Sequence, residues 1–521
     1  MTLCRCLFSL LLLMPLLASA GPAADFATAS RSQQATLLQQ WAAAPDSQRL
    51  PLLEALHAET VVIDQNKQPF SQQGTQLTPL EGAARPAGNL KKLFMNNRLR
   101  VLVNNALAAH QLVSSDAALR LRAAQQLQNG GVADQLPLLT QRLAAEQDSR
   151  VHAALALALA NLQLADSNPM VRLRAVNLLG ESSDPDTQAS LQRLTQPANE
   201  PDATVRAAAA DSLQQIQQRL RWGDLLGQAF SGLSLGSILL LAALGLAITY
   251  GLLGVINMAH GEMLMLGAYA TWWVQSLFQQ FAPHYLAWYP LLALPVAFLV
   301  TAAVGMALER TVIRHLYGRP LETLLATWGI SLMLIQLVRV LFGAQNLEVA
   351  NPSWLSGGLQ VLPNLVLPWN RIAVILFVVF VLALTWLLLN RTRLGMNVRA
   401  VTQNRAMAEC CGVPTGRVDM LAFGLGSGIA GLGGVALSQL GNVGPELGQG
   451  YIIDSFLVVV LGGVGQLAGT VVAAFSLGIL NKVLEPQIGA VLGKILILVL
   501  IVLFIQKRPQ GLFAVKGRVT D

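Results

Sequence analysis

The segment Gly254–Glu262, GVINMAHGE, places Asn257, His260 and Glu262 inside an apolar tract that runs from Gly232 to about Phe278. Polar and ionisable side chains at membrane depth cost roughly 2.5–3.5 kcal/mol each on insertion scales, and they persist where they face a bundle interior or a water-filled path. An amide, an imidazole and a carboxylate together offer hydrogen bonds to a small polar solute, so one reading makes this segment the lining of a path. A second makes it a helix start, with Asn257 as a cap before Met258 and Glu262 near the positive helix end. A third puts it at the cytoplasmic surface, between a span ending near Tyr250 and the next beginning near His260.

Other chemistry is missing from the sequence. There is no G-x-x-x-x-G-K-[ST] phosphate loop, no H-E-x-x-H and no C-x-x-C, so the chain by itself is not a P-loop ATPase and carries no metal-ligand spacing. Of six histidines only His260 lies deep in an apolar tract, and no nucleophile–base pairing is evident, which argues against an enzyme. Gly426, Gly428 and Gly431 imitate a dinucleotide fingerprint, as do Gly463, Gly465 and Ala468, but neither sits in a strand–helix unit. The physical reading is close helix packing, with Gly424/Gly428 and Gly465/Gly469 as small-xxx-small pairs.

These residues need a membrane scaffold, and composition supplies one. The 521 residues are 53% hydrophobic and 12% charged, against about 25% charged in an ordinary soluble domain. Charge is concentrated in residues 21–222, whereas 232–506 is a series of apolar runs, so two domains of different solvent are expected. The net charge of +7 falls in membrane-flanking loops and does not indicate nucleic acid. Arg5, the apolar Leu7–Leu17 and Ala18-Ser19-Ala20 read as a signal peptide over 1–20, cut before Gly21, with an uncleaved anchor as the alternative. Either way 21–222 lies outside the cytoplasmic membrane. It contains no cysteine, so packing alone must hold it.

Within that outer domain four segments repeat an acid or amide, an aliphatic residue, a base, a small or apolar residue and a leucine. They start at Asp116, Asp148, Asn168 and Asp202. Asp or Asn suits a helix N-cap, and apolar residues at +3, +7 and +11 share one helical face. The pattern over about 115–220 resembles HEAT-type helical repeats, with uneven spacing that implies deletions or a missing helix. Residues 21–114 are less legible: helices are expected at 37–44, 50–58 and 90–110, and one short strand at 60–64.

Apolar runs of spanning length fall near 232–250, 260–279, 290–308, 323–343, 371–390, 418–440 and 487–506. The tract Tyr451–Leu484 is too long for one span and short for two. Gly462, Gly463, Gly465 and Gly469 interrupt it, which predicts a half-helix or short span followed by a full one. Arg310, Arg314 and Arg319 fill one loop, and Arg391, Arg393, Arg399, Arg405 and Arg417 another. Lys507, Arg508, Lys516 and Arg518 form a terminal cluster, while loops 280–289, 344–370 and 441–453 have no Lys or Arg. The positive-inside rule puts the first set in the cytoplasm, and the C-terminal cluster joins it only if 451–484 crosses twice. Trp273, Trp288, Trp354 and Trp369 then lie near outer ends as an aromatic belt. The expected fold is all-α: a polytopic permease of about 8–9 spans, one broken, behind an outer helical-repeat domain.

Thr249–Ala270, Arg319–Leu334, Arg399–Val413 and Arg508–Phe513 (RPQGLF) are together similar to the LivH-type permeases of branched-chain amino acid ABC transporters, over about 229–515. An outer domain of this size ahead of such a permease resembles the urea-importer branch of that family. The resemblance implies urea as solute, with branched-chain amino acids or other short amides as the alternative. A channel or membrane-anchored scaffold is the remote one. It also implies a second permease, two cytoplasmic ATPases that hold ATP and magnesium, and a periplasmic binding protein, in a bacterial inner membrane with the C-terminus cytoplasmic. Residues 21–222 would help to dock that binding protein. Ala400, Asn404, Ala408 and Gly412 recur every four residues, a small-residue strip on a short helix that resembles a coupling helix docking into an ATPase. The competing reading is a solvated amphipathic loop.

Overall fold

The computed structural model describes residues 21–74, 76–82, 86 and 88–513. The expected signal segment 1–20, and Lys516 and Arg518 of the terminal cluster, lie outside the described residues. The chain divides into two compact units, the second beginning at Trp222.

In the first unit the repeat has a physical basis at each helix start. The side chains of Asp116, Asp148 and Asn168 accept from the backbone amides of Ala118, Arg150 and Met170, and that of Asp202 from Thr204. These caps open the helices Ala117–Gly130, Ser149–Gln163, Pro169–Leu179 and Ala203–Leu246. The base four positions after the cap folds back on the loop before it. Arg120 donates to the Ser114 and Ser115 carbonyls, Arg172 to Asp166 and Ser167, and Arg206 to Glu200 and Pro201. Arg120 and Arg172 also fork onto Glu146 and Glu200, each two residues ahead of the next acidic cap. Spacing is uneven because helices Leu136–Ala145 and Pro185–Leu194 intervene in two gaps, while nothing separates Ser149–Gln163 from Pro169–Leu179.

Residues 21–114 depart from the sequence reading. A four-stranded antiparallel sheet of order β3-β2-β1-β4 forms from β1 (Val61–Ile63), β2 (Pro69–Gln73), β3 (Gln76–Pro79) and β4 (Lys91–Lys92), where one strand was expected. The expected helix over 90–110 starts later, at Asn97, because Asn96 caps it through Leu99 N and residues 91–92 pair with β1.

In the second unit seven described helices, the first reaching back to Ala203, are long and apolar enough to cross a membrane: Ala203–Leu252, Pro283–His315, Pro320–Phe342, Trp369–Arg391, Thr415–Leu440, Leu467–Ile488 and Ala490–Lys507. His260–Phe281 is as long, but His260, Glu262, Gln275 and other polar residues lower its hydropathy. Gln449–Gly462 is the expected half-helix, 14 residues long. It turns at Gly463, whose φ of 98° suits glycine, into Leu467–Ile488. Gly462 and Gly469 face each other at van der Waals contact across this hairpin, so a Cβ on either would overlap the other's backbone.

Contacts sort the connections into two ends. At one, Arg405 lies 5.0 Å over the Tyr317 ring, Thr402 Oγ1 donates to Leu252 O at 2.8 Å, and Leu512 N to Leu461 O at 2.8 Å. All the arginine-rich loops thus share that end. At the other, Leu347 bridges Val443, Trp354 Nε1 donates to Ala287 O at 2.7 Å, and the hairpin strand Leu365–Pro368 leads into the helix Trp369–Arg391.

Candidate functional site

The helix from Ala203 ends in a π-turn at Ala247–Leu252, and the chain then turns at Gly254 (φ 69°). It climbs back into the bundle before His260–Phe281 begins. Asn257 Oδ1 accepts from Ala259 N at 3.0 Å, which organises the helix start. Met258 N donates to Thr327 Oγ1 at 3.1 Å, so the loop is tied to the helix Pro320–Phe342. His260 Nε2 lies 2.8 Å from Ala242 O. A carbonyl can only accept, which puts a proton on Nε2 and, in the neutral ring, leaves Nδ1 as an acceptor. Ser331 Oγ donates to Glu262 Oε1 at 2.8 Å.

These partners give the depth. Ser331 is midway along Pro320–Phe342, and Ala242 lies ten residues, about 15 Å of helix, before Leu252. The cluster is therefore at mid-depth, which corrects the reading at the cytoplasmic surface. The loop 253–259 does not stop at the bundle's edge: Gly254 and Val255 bond locally to Tyr250 and Thr249, but Met258 N reaches Thr327 deeper in. Asn257, His260 and Glu262 are 0%, 0% and 1% exposed, enclosed by the chain's own helices. Three of their polar atoms nonetheless lack partners: Asn257 Nδ2, His260 Nδ1 and Glu262 Oε2. Buried polar atoms are ordinarily satisfied, so one free donor and two free acceptors at mid-depth call for waters or a solute.

Glycines make room for this arrangement. A Cβ on Gly261 would come within 2.6 Å of the Gly448 carbonyl, so the starts of His260–Phe281 and Gln449–Gly462 touch at mid-depth. Broken helices meeting inside a bundle are a recurrent way to build a polar solute site. Gly424 and Gly428 pack on the side chains of Met306 and Phe298 of the helix Tyr289–Thr311, so they make room for large side chains rather than for a neighbouring backbone. Gly465 and Gly469 do not act as one pair: Gly465 abuts Gly251, and Gly469 abuts Gly462, because the chain turns between them. Sequence reasoning missed the helix that answers the cluster. The signal was present, since Thr323, Thr327 and Ser331 recur every four residues on a largely apolar helix, and all three are buried.

The strip Ala400, Asn404, Ala408 and Gly412 does not lie on one helix. Asn404 ends Arg393–Gln403 and caps Arg405–Cys410 through Met407 N at 3.0 Å. Ala408 is buried and Ala400 packs against the core, whereas Asn404 and Gly412 are exposed. Small residues turn inward because they allow the short helices to lie close on the bundle. The outward face instead offers Met396 and Met407, 56% and 60% exposed, among arginines.

Apolar spanning helices, broken elements meeting at a buried polar junction and one arginine-rich end define a multi-span membrane permease. The family model described as branched-chain amino acid transport system / permease component matches residues 228–505, and the chain belongs to that family. The family is one of transport components rather than enzymes. A HEAT-repeat model matches residues 160–221. The high-affinity branched-chain amino acid transport system permease protein BraD of Pseudomonas aeruginosa is 28% identical over 293 residues, 55% of this chain and 95% of the relative. The corresponding LivH of Escherichia coli K12 is 28% identical over 293 residues, 55% of this chain and 94% of the relative. The ribose import permease protein RbsC of Escherichia coli K12 is 32% identical over 115 residues, 21% of this chain and 35% of the relative. No solved structure matches the chain.

Proposed function

We propose that this chain is the permease subunit of an ATP-binding cassette importer and that its solute is urea, passing the junction of Asn257, His260 and Glu262. The observation that carries this reading is the set of unpartnered atoms. Asn257 Nδ2 is free to donate to a carbonyl, while His260 Nδ1 and Glu262 Oε2 are free to accept from amide N–H groups. A urea molecule supplies both kinds of group at once. The junction is closed in this conformation, so the helices must part for solute to pass.

The remaining parts of the importer follow from the same reading. The arginine-rich end faces the cytoplasm of a bacterial inner membrane, where two ATPases bring ATP and magnesium. A second permease completes the path, and a periplasmic binding protein delivers the solute. The unit 21–221 is periplasmic and helps to dock that protein. BraD and LivH match the membrane half over nearly their whole length, so the N-terminal unit is an addition to their pattern and supports a solute different from theirs.

A second reading, import of branched-chain amino acids, is favoured by the names of those relatives and by Glu262, whose carboxylate could face an ammonium group. Binding of urea against leucine to the partner binding protein separates the two. Uptake of the preferred solute by N257A and E262Q, at equal expression, tests the site. Each replacement removes a hydrogen bond of about 1 kcal/mol, a several-fold loss. Uptake unchanged in both variants rules out contact with the solute.

A further inference from the structure

A second buried polar cluster lies away from the mid-depth junction, at the arginine-rich end. Glu309, in the last turn of Tyr289–Thr311, and Asp419, in the first turns of Thr415–Leu440, are 2% and 1% exposed. Each has one carboxylate oxygen without a partner, Glu309 Oε2 and Asp419 Oδ1. The other oxygen of Glu309 accepts from the Tyr317 hydroxyl at 3.3 Å. Burial, followed by the charges of Asp419 and Glu309, pushes the Tyr317 hydroxyl up, so it stays protonated and donates. The other oxygen of Asp419 pairs with the Arg405 guanidinium, which also stacks over the Tyr317 ring at 5.0 Å. Arg310 turns aside, its Nε donating to Met420 Sδ at 3.2 Å.

Arg405 does not belong to a spanning helix. It is the first residue after Asn404, the extended residue that separates the two short helices of the loop. Its side chain is 43% exposed while that of its partner is 1% exposed. One edge of the guanidinium therefore meets solvent or a docked protein, and the other holds a buried acid. The same loop grips the bundle at a second place, through Thr402 and Leu252, where the chain leaves the first helix for the Asn257–His260 segment. Asp419 in turn stands at the foot of the helix whose Gly431 and Gly434 lie against Gly267 and Leu264 of His260–Phe281.

We propose that Arg405 and Asp419 are positioning residues that couple the loop 391–417 to the helix Thr415–Leu440, so that displacement of the loop moves the helix bordering the polar junction. The inference rests on the reading of that loop as the ATPase contact. Arg405 is suited to the task because its charge cannot be lost, and a buried carboxylate deprived of its only cation is strongly destabilised, so the pair moves together or breaks.

The test uses the assembled importer in proteoliposomes with its binding protein. Solute uptake, binding-protein-stimulated ATP hydrolysis and subunit association are measured for R405Q and for the double variant R405Q/D419N, which leaves no uncompensated acid at 419. The expected result is preserved association, hydrolysis within about twofold of the parent and solute moved per ATP reduced about tenfold, inside the usual range of coupling between sites. If R405Q fails to assemble, the double variant carries the test alone. A double variant that assembles and moves solute per ATP at the parental ratio overturns the proposal, since the pair then only stabilises the fold. M396D and M407D test the underlying reading separately. ATPase association retained in both would mean that the loop is not the contact, and the coupling role would fall with it.

Discussion

Replacement of Gly267 by alanine tests whether the crossing of His260–Phe281 and Thr415–Leu440 positions the polar junction. A Cβ at Gly267 would sit 2.7 Å from Gly431 Cα and also overlap the Gly431 carbonyl. Carbon atoms pack best at about 3.5–4.0 Å, so the helices must separate by about 1 Å. The obstructing atoms are backbone, which cannot swing aside as a flexible side chain does. Overpacking of this kind costs about 1–3 kcal/mol. The displaced segment begins seven residues earlier at His260, whose bond to Ala242 is already at 2.8 Å and would lengthen out of range. G267A should therefore lower the thermal midpoint of the purified importer and reduce uptake beyond what reduced expression explains. Gly329 is the control: it is mid-helix with open space where its Cβ would go. G329A should be neutral or stabilise by up to about 1 kcal/mol. A G267A variant with the thermal midpoint and uptake of G329A would refute the reasoning.

Three further predictions concern the N-terminal unit. Burial lowers the pKa of His110 from 6.5, assisted by Arg49 and opposed by the Ala106 carbonyl and Asp46, so the unfolded chain takes up the proton first. Its contribution is complete above about pH 6.5 and declines as pH falls toward the lowered value. Hydrogen exchange in Asn97–Gln111, corrected for intrinsic rates, should show protection falling below that pH, and pH-independent protection would contradict this. R172M should strongly destabilise the repeat by leaving Glu200, 2% exposed, without its counter-charge, and R172M/E200L should recover most of the loss on thermal unfolding. L179A, at a fully buried position packed among Val176, Leu191 and Ile216, should cost about 2–5 kcal/mol by denaturant titration of the same unit.

The membrane helices were legible because a spanning helix must be apolar for about 20 residues, and little else satisfies lipid. The break at Gly463 was legible from length and loop charge together, and the repeat from caps whose geometry is local. What escaped was non-local. The three hydrogen bonds that set the depth of Asn257–Glu262 reach Ala242, Thr327 and Ser331, and no spacing in the sequence joins them. The coupling strip was misread because a four-residue period assumes a continuous helix, and Asn404 both ends one helix and begins the next. Of the small sheet only β1 was legible, as the strand expected at 60–64, because the other three strands are two to five residues long and mostly polar.

The bond from Leu512 N to Leu461 O joins the Arg508–Phe513 motif to the end of the half-helix Gln449–Gly462. Two whole helices, Leu467–Ile488 and Ala490–Lys507, are made between those residues. At about 5–20 residues per second, roughly 50 residues take several seconds to emerge from a ribosome. For that interval the turn at Gly463 exists without the strap that later closes it, and the Leu461 carbonyl must be satisfied by water at the bilayer rim. Insertion of this hairpin and its final locking are thus separate events in the life of the nascent chain, and a truncation before Leu512 would arrest the protein at the first.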